Sequence, residues 1–327
     1  MADTLRYVYK VVDDCVIGTD VHLPAPVSQE PTAYPVLFMI HGGAFVLGSS
    51  KMVSADQITD CTERGWIVLA LDHRLCPQVK LLEGPMQDCR DALKWVQSGG
   101  LDKELAKDPK TAMYKADQDK IVAYGTSAGG HLALSMGFDV EKPVLAILDF
   151  YAPKVFNDPF WTSTIPSLER MLPKDLTPEF LNKVYDEKPV PIEGGVSLEG
   201  QATKGPNFSD PRQAFAFVNM AYGTLMRTIH PFDDGYKPVD PYLNVSSSFP
   251  PTFVVHGGAD EMIIPQMSRL FVEKMREVGA TCEMIEIAGQ PHSFVGRMQK
   301  GDETWNQQRK GFDWLQSIIE KGVPAQK

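Results

Sequence analysis

The chain has 327 residues, 43% of them hydrophobic and 23% charged, with a formal net charge of −10 at pH 7. That length accommodates one large α/β domain with an insertion, or two ordinary domains. The acidic balance argues against a nucleic-acid partner, whose phosphates would be repelled, and against anionic membrane surfaces. Cys15, Cys61, Cys76, Cys89 and Cys282 are widely separated, form no C-x-x-C pair and make no zinc-finger spacing with histidine, which argues against a disulfide framework or a metal site. Asp3, Arg6 and Lys10 interrupt the start of the chain, and no later run reaches the length of a membrane span. The expectation is a cytoplasmic protein without a membrane span.

Apolar runs of strand length alternate with segments of helical period, the pattern of a mainly parallel sheet covered on both faces. Val36 to Ile40 is the first central strand, followed at once by His41-Gly42-Gly43-Ala44-Phe45. Trp66 to Leu71 is the next strand, and Gln87 to Gln97 is a helix with Leu93 and Val96 on one face. Ile121 to Tyr124 is a strand that runs into Gly125-Thr126-Ser127-Ala128-Gly129. Val144 to Leu148 follows as a strand. Between about Pro153 and Ser248 the alternation stops, and Pro and Gly become frequent. Within this stretch Phe215, Val218, Tyr222, Leu225 and Ile229 share one helical stripe, with Phe217 and Met220 on the other side. Regular elements resume with a strand at Thr252 to Val255, a helix from Pro265 to Val278, a strand at Thr281 to Ile287 and a closing amphipathic helix marked by Trp305, Phe312, Leu315 and Ile319. The domain reading is a core of residues 1–152 and 249–327 with an inserted cap, or lid, at 153–248.

Gly-x-Ser-x-Gly after a buried strand brings two backbones close, which only glycine tolerates, and presents the serine at the tip of the turn. A serine hydroxyl is a weak nucleophile, so Ser127 needs a base and an orienting acid. His292, in the turn between the last strand and the closing helix, is the candidate base. Asp260, just past the strand that ends near His256, is the candidate acid, with Glu261 and Asp149 as alternatives. The order Ser127, Asp260, His292 is that of an α/β-hydrolase triad. Backbone N–H groups of the glycine turn after Ile40 suit the stabilisation of a tetrahedral oxyanion. His73 and His256 are read as structural groups at strand ends.

On these residues the chain resembles the α/β-hydrolase superfamily, specifically its hormone-sensitive-lipase-like esterases and carboxylesterases. His41 to Phe45 looks like the family's His-Gly-Gly-Gly motif, Asp72 to Pro77 is similar to its Asp-Tyr-Arg-Leu-Ala-Pro segment, and Gly125 to Gly130 resembles its nucleophile elbow. The resemblance implies an α/β-hydrolase fold and a serine hydrolase cleaving carboxylic esters without a cofactor or metal. It further implies an oxyanion hole from Gly43, Ala44 and Ala128. Ala44 stands in place of the third glycine, and Thr126 stands where these esterases often carry Asp or Glu. Phe45, Phe215 and Tyr222 are the expected substrate contacts. The implied partner is a small-molecule ester, with homodimerisation left open. Thioester, lactone and aryl-formamide hydrolysis, including a secondary-metabolite tailoring or release step, use the same chemistry. A ligand-binding protein on the same scaffold is the reading from a different class.

Overall fold

The computed structural model describes residues 4–195, 205–231 and 235–321. Three features of the chain begin the sheet: β1 (Leu5–Val12), β2 (Cys15–His22) and β3 (Thr32–Ile40). There follow α1 (Ala55–Glu63), β4 (Ile67–Leu71), α2 (Gln87–Gln97), α3 (Gly100–Leu105), β5 (Tyr114–Thr126), α4 (Ala128–Ser135) and β6 (Ile147–Phe150). The short helices α5 (Pro166–Glu169), α6 (Pro178–Asn182), α7 (Pro211–Ala221) and α8 (Leu225–Ile229) occupy the segment before β7 (Thr252–Gly257). The chain continues through α9 (Pro265–Glu277) and β8 (Cys282–Ile287) to α10 (Glu303–Lys321).

The strands form one eight-stranded sheet in the order β1-β2-β4-β3-β5-β6-β7-β8. The β1–β2 and β2–β4 pairs are antiparallel; the pairs from β4 to β8 are parallel. Every residue of β4, β6 and β7 is buried, which is why their sequences lack polar alternation. The sheet divides the core in two. Ile40, Ala123 and Val254 face the side holding Leu93 and Leu132, whereas Met39, Tyr124 and Phe150 face the side holding Phe312 and Leu315. Successive residues of one strand thus serve opposite layers, as the period of two requires.

Two local expectations need correction, and one element carries no clear signature in the sequence. The β1–β2 hairpin was not anticipated; Leu5, Tyr7 and Tyr9 are more buried than exposed Arg6 and Val8, and Tyr9 Oη donates to the Asp72 carbonyl at 2.6 Å. The strand expected at Val144 begins at Ile147, which pairs with Ala123; Leu145 N–H already donates to the Ile121 carbonyl of β5 at 2.7 Å, while Val144 N–H turns back to the Met136 carbonyl after α4. The stripe from Phe215 to Ile229 is two helices rather than one, since Gly223 at φ +63° separates α7 from α8. Part of the expected insertion, residues 196–204 and 232–234, lies outside the described residues.

Candidate active site

Parallel strands β3, β5 and β7 direct their carboxyl ends to one edge, where helices begin and ligands gather in open α/β sheets. Ser127 follows β5 with φ +51° and ψ −123°, a backbone state that L-residues rarely hold. The tight turn explains its flanking glycines. A Cβ on Gly125 would overlap the Gly129 carbonyl, and one on Gly129 would overlap the carbonyls of Ile40 and His41. Ser127 N–H donates to the Phe150 carbonyl at 2.8 Å, which ties the elbow to β6.

Ser127 Oγ lies 3.0 Å from His292 Nε2, and His292 Nδ1 lies 2.6 Å from Asp260 Oδ2. All three residues are buried. A carboxylate only accepts, so His292 carries its proton on Nδ1 and leaves Nε2 to accept from the serine. The other Asp260 oxygen accepts from the backbone N–H groups of Met262 and Ile263, each at 2.9 Å. Burial acts to raise the Asp260 pKa, but the charge of His292 and hydrogen bonds from His256 and His292 prevail and hold it well below the carboxylate range. The structure therefore brings together the three residues singled out from the sequence. Glu261 is exposed, and Asp149 is committed elsewhere: its Oδ2 accepts from buried Lys154 Nζ at 2.6 Å.

His256 does more than shape the turn. Its Nε2 faces two acceptors, Asp260 Oδ2 at 3.1 Å and the Ile263 carbonyl at 2.8 Å, so the proton sits on Nε2. Its Nδ1 can then accept from Ser268 Oγ at 2.8 Å. Sequence reasoning classed it as a strand-end group; its spacing of four residues from Asp260 was the available signal. The remaining histidines near the elbow do not titrate usefully. Burial lowers His131 to about 3 despite a hydrogen bond with the Pro153 carbonyl. Burial, with the neighbouring His73 ring stacked at 4.5 Å, lowers His41 to about 3.

The Asp72 to Pro77 segment is structural. Arg74 clasps Asp88 of α2 through Nε at 2.9 Å and Nη2 at 2.7 Å, and Lys10 Nζ reaches the same carboxylate at 2.6 Å. These bonds join β1, the loop after β4 and α2 beneath the site.

An apolar pocket opens beside Ser127. Ala44, Phe45, Ala128 and His292 line it near the serine, and Phe160, Trp161, Ile165, Met220, Leu225, Met226, Met262 and Ile263 supply most of the rest. No acidic side chain, lysine or arginine is among the lining residues. The two polar ones away from the triad and its turn are engaged: Asn219 Nδ2 donates to the Phe215 carbonyl at 2.9 Å, and Ser163 Oγ donates to the Pro159 carbonyl at 2.8 Å. Of the expected oxyanion residues, Ala44 and Ala128 line the cavity. Gly43 does not; its carbonyl instead closes the turn by accepting from Val46 and Leu47 at 3.0 and 2.8 Å. Two expected substrate contacts, Phe215 and Tyr222, are not among the lining residues. Phe215 packs into the core against Tyr185, with ring centroids 5.8 Å apart, and Tyr222 is exposed just before the Gly223 break. Phe45 lines the cavity.

Two family models match the chain: BD-FAE over residues 19–158 and the prolyl oligopeptidase family over residues 209–322. Among curated proteins, the chain is 29% identical over 309 residues to the non-reducing polyketide synthase ausA of Aspergillus calidoustus, covering 84% of this chain and 12% of that protein. It is 27% identical over 339 residues to the non-reducing polyketide synthase atr1 of Stereocaulon alpinum, covering 96% of this chain and 13% of that one. The chain thus spans about an eighth of the length of these relatives. Among solved structures, the apo form of Thermogutta terrifontis esterase 2 matches with a TM-score of 0.63 at 22% identity, covering 100% of this chain and 98% of the other. The butyrate-bound form of that esterase matches with a TM-score of 0.60 at 23% identity, covering 99% and 96%. By its sheet order, its elbow after β5 and these likenesses, the chain has the α/β-hydrolase fold that its resemblance to the hormone-sensitive-lipase-like esterases implied.

Proposed function

We propose that the chain is a serine hydrolase that cleaves carboxylic esters of apolar acyl or alcohol groups. The observation that carries this reading is the hydrogen-bonded row Ser127–His292–Asp260, with links of 3.0 and 2.6 Å, at the edge of an apolar cavity. Ser127 Oγ attacks the ester carbonyl as His292 Nε2 takes its proton; Asp260 orients the imidazole and stabilises its charged form. The N–H groups of Ala44, in the turn that Gly43 shapes, and of Ala128, at the elbow, receive the oxyanion. Ala128 is the first residue of α4, so its N–H lacks an intrahelical acceptor and lies at the positive end of the helix. His292 returns the proton to the leaving alcohol, and water cleaves the acyl-enzyme by the same route. In this reading the segment at 153–248 is the cap that supplies much of the cavity. The five free, buried cysteines suit a reducing cytoplasm.

A second reading is thioester cleavage, favoured by a specific observation: nearly the whole chain aligns within polyketide synthases. A thiolate leaving group requires the same nucleophile, base and oxyanion donors. Short-chain aryl esters, thioesters, lactones and aryl formamides assayed with the wild type and Ser127→Ala separate these readings. Loss of the nucleophile should cost on the order of a million-fold in turnover; equal turnover by the mutant would rule out both.

A further inference from the structure

Three consecutive residues, Gly43, Ala44 and Phe45, hold φ values of +111°, +56° and +64°. Left-handed backbone is unfavourable for residues bearing a Cβ, so Ala44 and Phe45 remain there only where the surroundings determine them. Some of that determination is local. Val46 and Leu47 N–H close onto the Gly43 carbonyl, and Cys76 N–H donates to the Phe45 carbonyl at 2.9 Å.

The rest comes from the segment between β6 and β7. Gly48 and Gly194 exchange backbone hydrogen bonds of 2.7 and 3.0 Å. Arg212, in the first turn of α7, donates from Nη1 to the carbonyls of Val46 and Cys76, both at 2.8 Å. Its other nitrogens are fixed in turn, Nε on Glu187 Oε2 at 2.8 Å and Nη2 on Gln78 Oε1 at 2.7 Å. Arg212 is only 2% exposed. A planar guanidinium held on four acceptors is a rigid brace, and of the two carbonyls it grips, one directly follows the left-handed turn and the other belongs to Cys76, whose N–H donates to that turn.

We propose that Arg212 is a positioning residue for the oxyanion turn, so that α7 sets the rate of the chemistry as well as covering the site. This rests on the serine-hydrolase reading. Without the guanidinium, Val46 and Cys76 lose their shared donor, and the turn relaxes toward ordinary backbone. The N–H groups then move from the place where the oxyanion forms. Such a change weakens the transition state more than the bound substrate. Lysine restores a charge and one contact, but a single ammonium does not span all four acceptors.

The test uses a fluorophosphonate probe on the intact protein. Ser127 Oγ forms a bond to phosphorus, the P–F bond breaks, fluoride leaves, and the serine proton passes to His292. The phosphonyl oxygen occupies the oxyanion position, so the labelling rate reports the turn without knowledge of the natural substrate. Arg212→Met should slow labelling about 10- to 100-fold, in line with an impaired oxyanion donor. For a short aryl ester, kcat should fall by a similar factor while KM stays within about threefold, and Arg212→Lys should recover part of the loss. Arg64→Met is the control, because Arg64 joins α1 to Asp313 and Gln316 of α10 away from the site. It should label at the wild-type rate. Wild-type labelling of Arg212→Met, or equal slowing by Arg64→Met, would overturn the proposal. If Arg212→Met fails to fold, wild-type labelling of Arg212→Lys overturns it instead. An unlabelled wild-type protein would overturn the serine-hydrolase reading itself, a distinct result.

Discussion

His256 donates its Nε2 proton to Asp260 Oδ2 at 3.1 Å, sharing with His292 the single carboxylate oxygen that orients the proposed base. A hydrogen bond stabilises the carboxylate and so dilutes its pull on the imidazolium of His292. His256→Leu should therefore move the acid limb of the kcat/KM–pH profile upward. The expected displacement is up to about one pH unit, the equivalent of ~1.4 kcal/mol. An unchanged profile in a folded mutant would show that His256 supports the turn without tuning the base.

The elbow glycines make a second prediction. Gly129→Ala places a methyl group on the carbonyls of Ile40 and His41, which belong to β3 and the turn after it. The mutant should lose at least about 1–3 kcal/mol of stability, as overpacked sites do, together with most activity. Urea unfolding and ester turnover measure the two effects.

Cavity size gives a third. Leu225→Trp adds bulk to an apolar lining that has no charged side chain to compensate. Turnover of acetyl esters should be retained within a few-fold, while that of long-chain or aryl-acyl esters should fall at least about tenfold, the scale of discrimination by size in an apolar pocket. Equal losses along an acyl-length series would place Leu225 outside the substrate path.

The fourth concerns stability against pH. Asp240 accepts from the backbone N–H groups of Val155, Phe156 and Tyr242 at 3.1, 2.7 and 3.0 Å, closing the start of the β6–β7 segment onto its end. Burial pushes its carboxyl from 3.8 up to about 6, against those bonds and the charge of Lys154. The folded state then binds more protons than the unfolded one between those values, so this group lowers stability as pH rises from about 4 to about 6. Asp260, held below the ordinary range, acts with the opposite sign: its contribution is present above about 4 and is lost as pH falls lower. Asp240→Asn should flatten the pH dependence of the unfolding free energy in the upper window alone. An identical slope in mutant and wild type would contradict this.

The buried strands were legible because two-sided burial leaves continuous apolar runs, as in Val36 to Ile40 and Thr252 to Val255. Ser127, Asp260 and His292 were legible because an elbow and two strand-end turns have residue signatures and a fixed chain order. Arg212 had none, and His256 only its spacing of four residues from Asp260, since their partners are backbone carbonyls or a carboxylate whose proximity exists only in the folded chain. The β1–β2 hairpin was obscured for another reason. It lies at the sheet edge, where Val8, Val11 and Val16 remain exposed, so apolar content and burial part company. Helical periodicity places Phe215 and Tyr222 on one stripe but does not say what that stripe meets; Phe215 is buried in the core and Tyr222 is exposed.

All eight residues of α4, Ala128 to Ser135, are buried. A helix that meets water on no face cannot persist detached from its surroundings, and one of two turns is too short to hold itself in isolation. The strained Ser127 backbone at its head is therefore maintained by the whole molecule rather than by a local motif. Partial melting that spares the catalytic centre has little room to occur, which makes residual turnover in denaturant a gauge of cooperative unfolding.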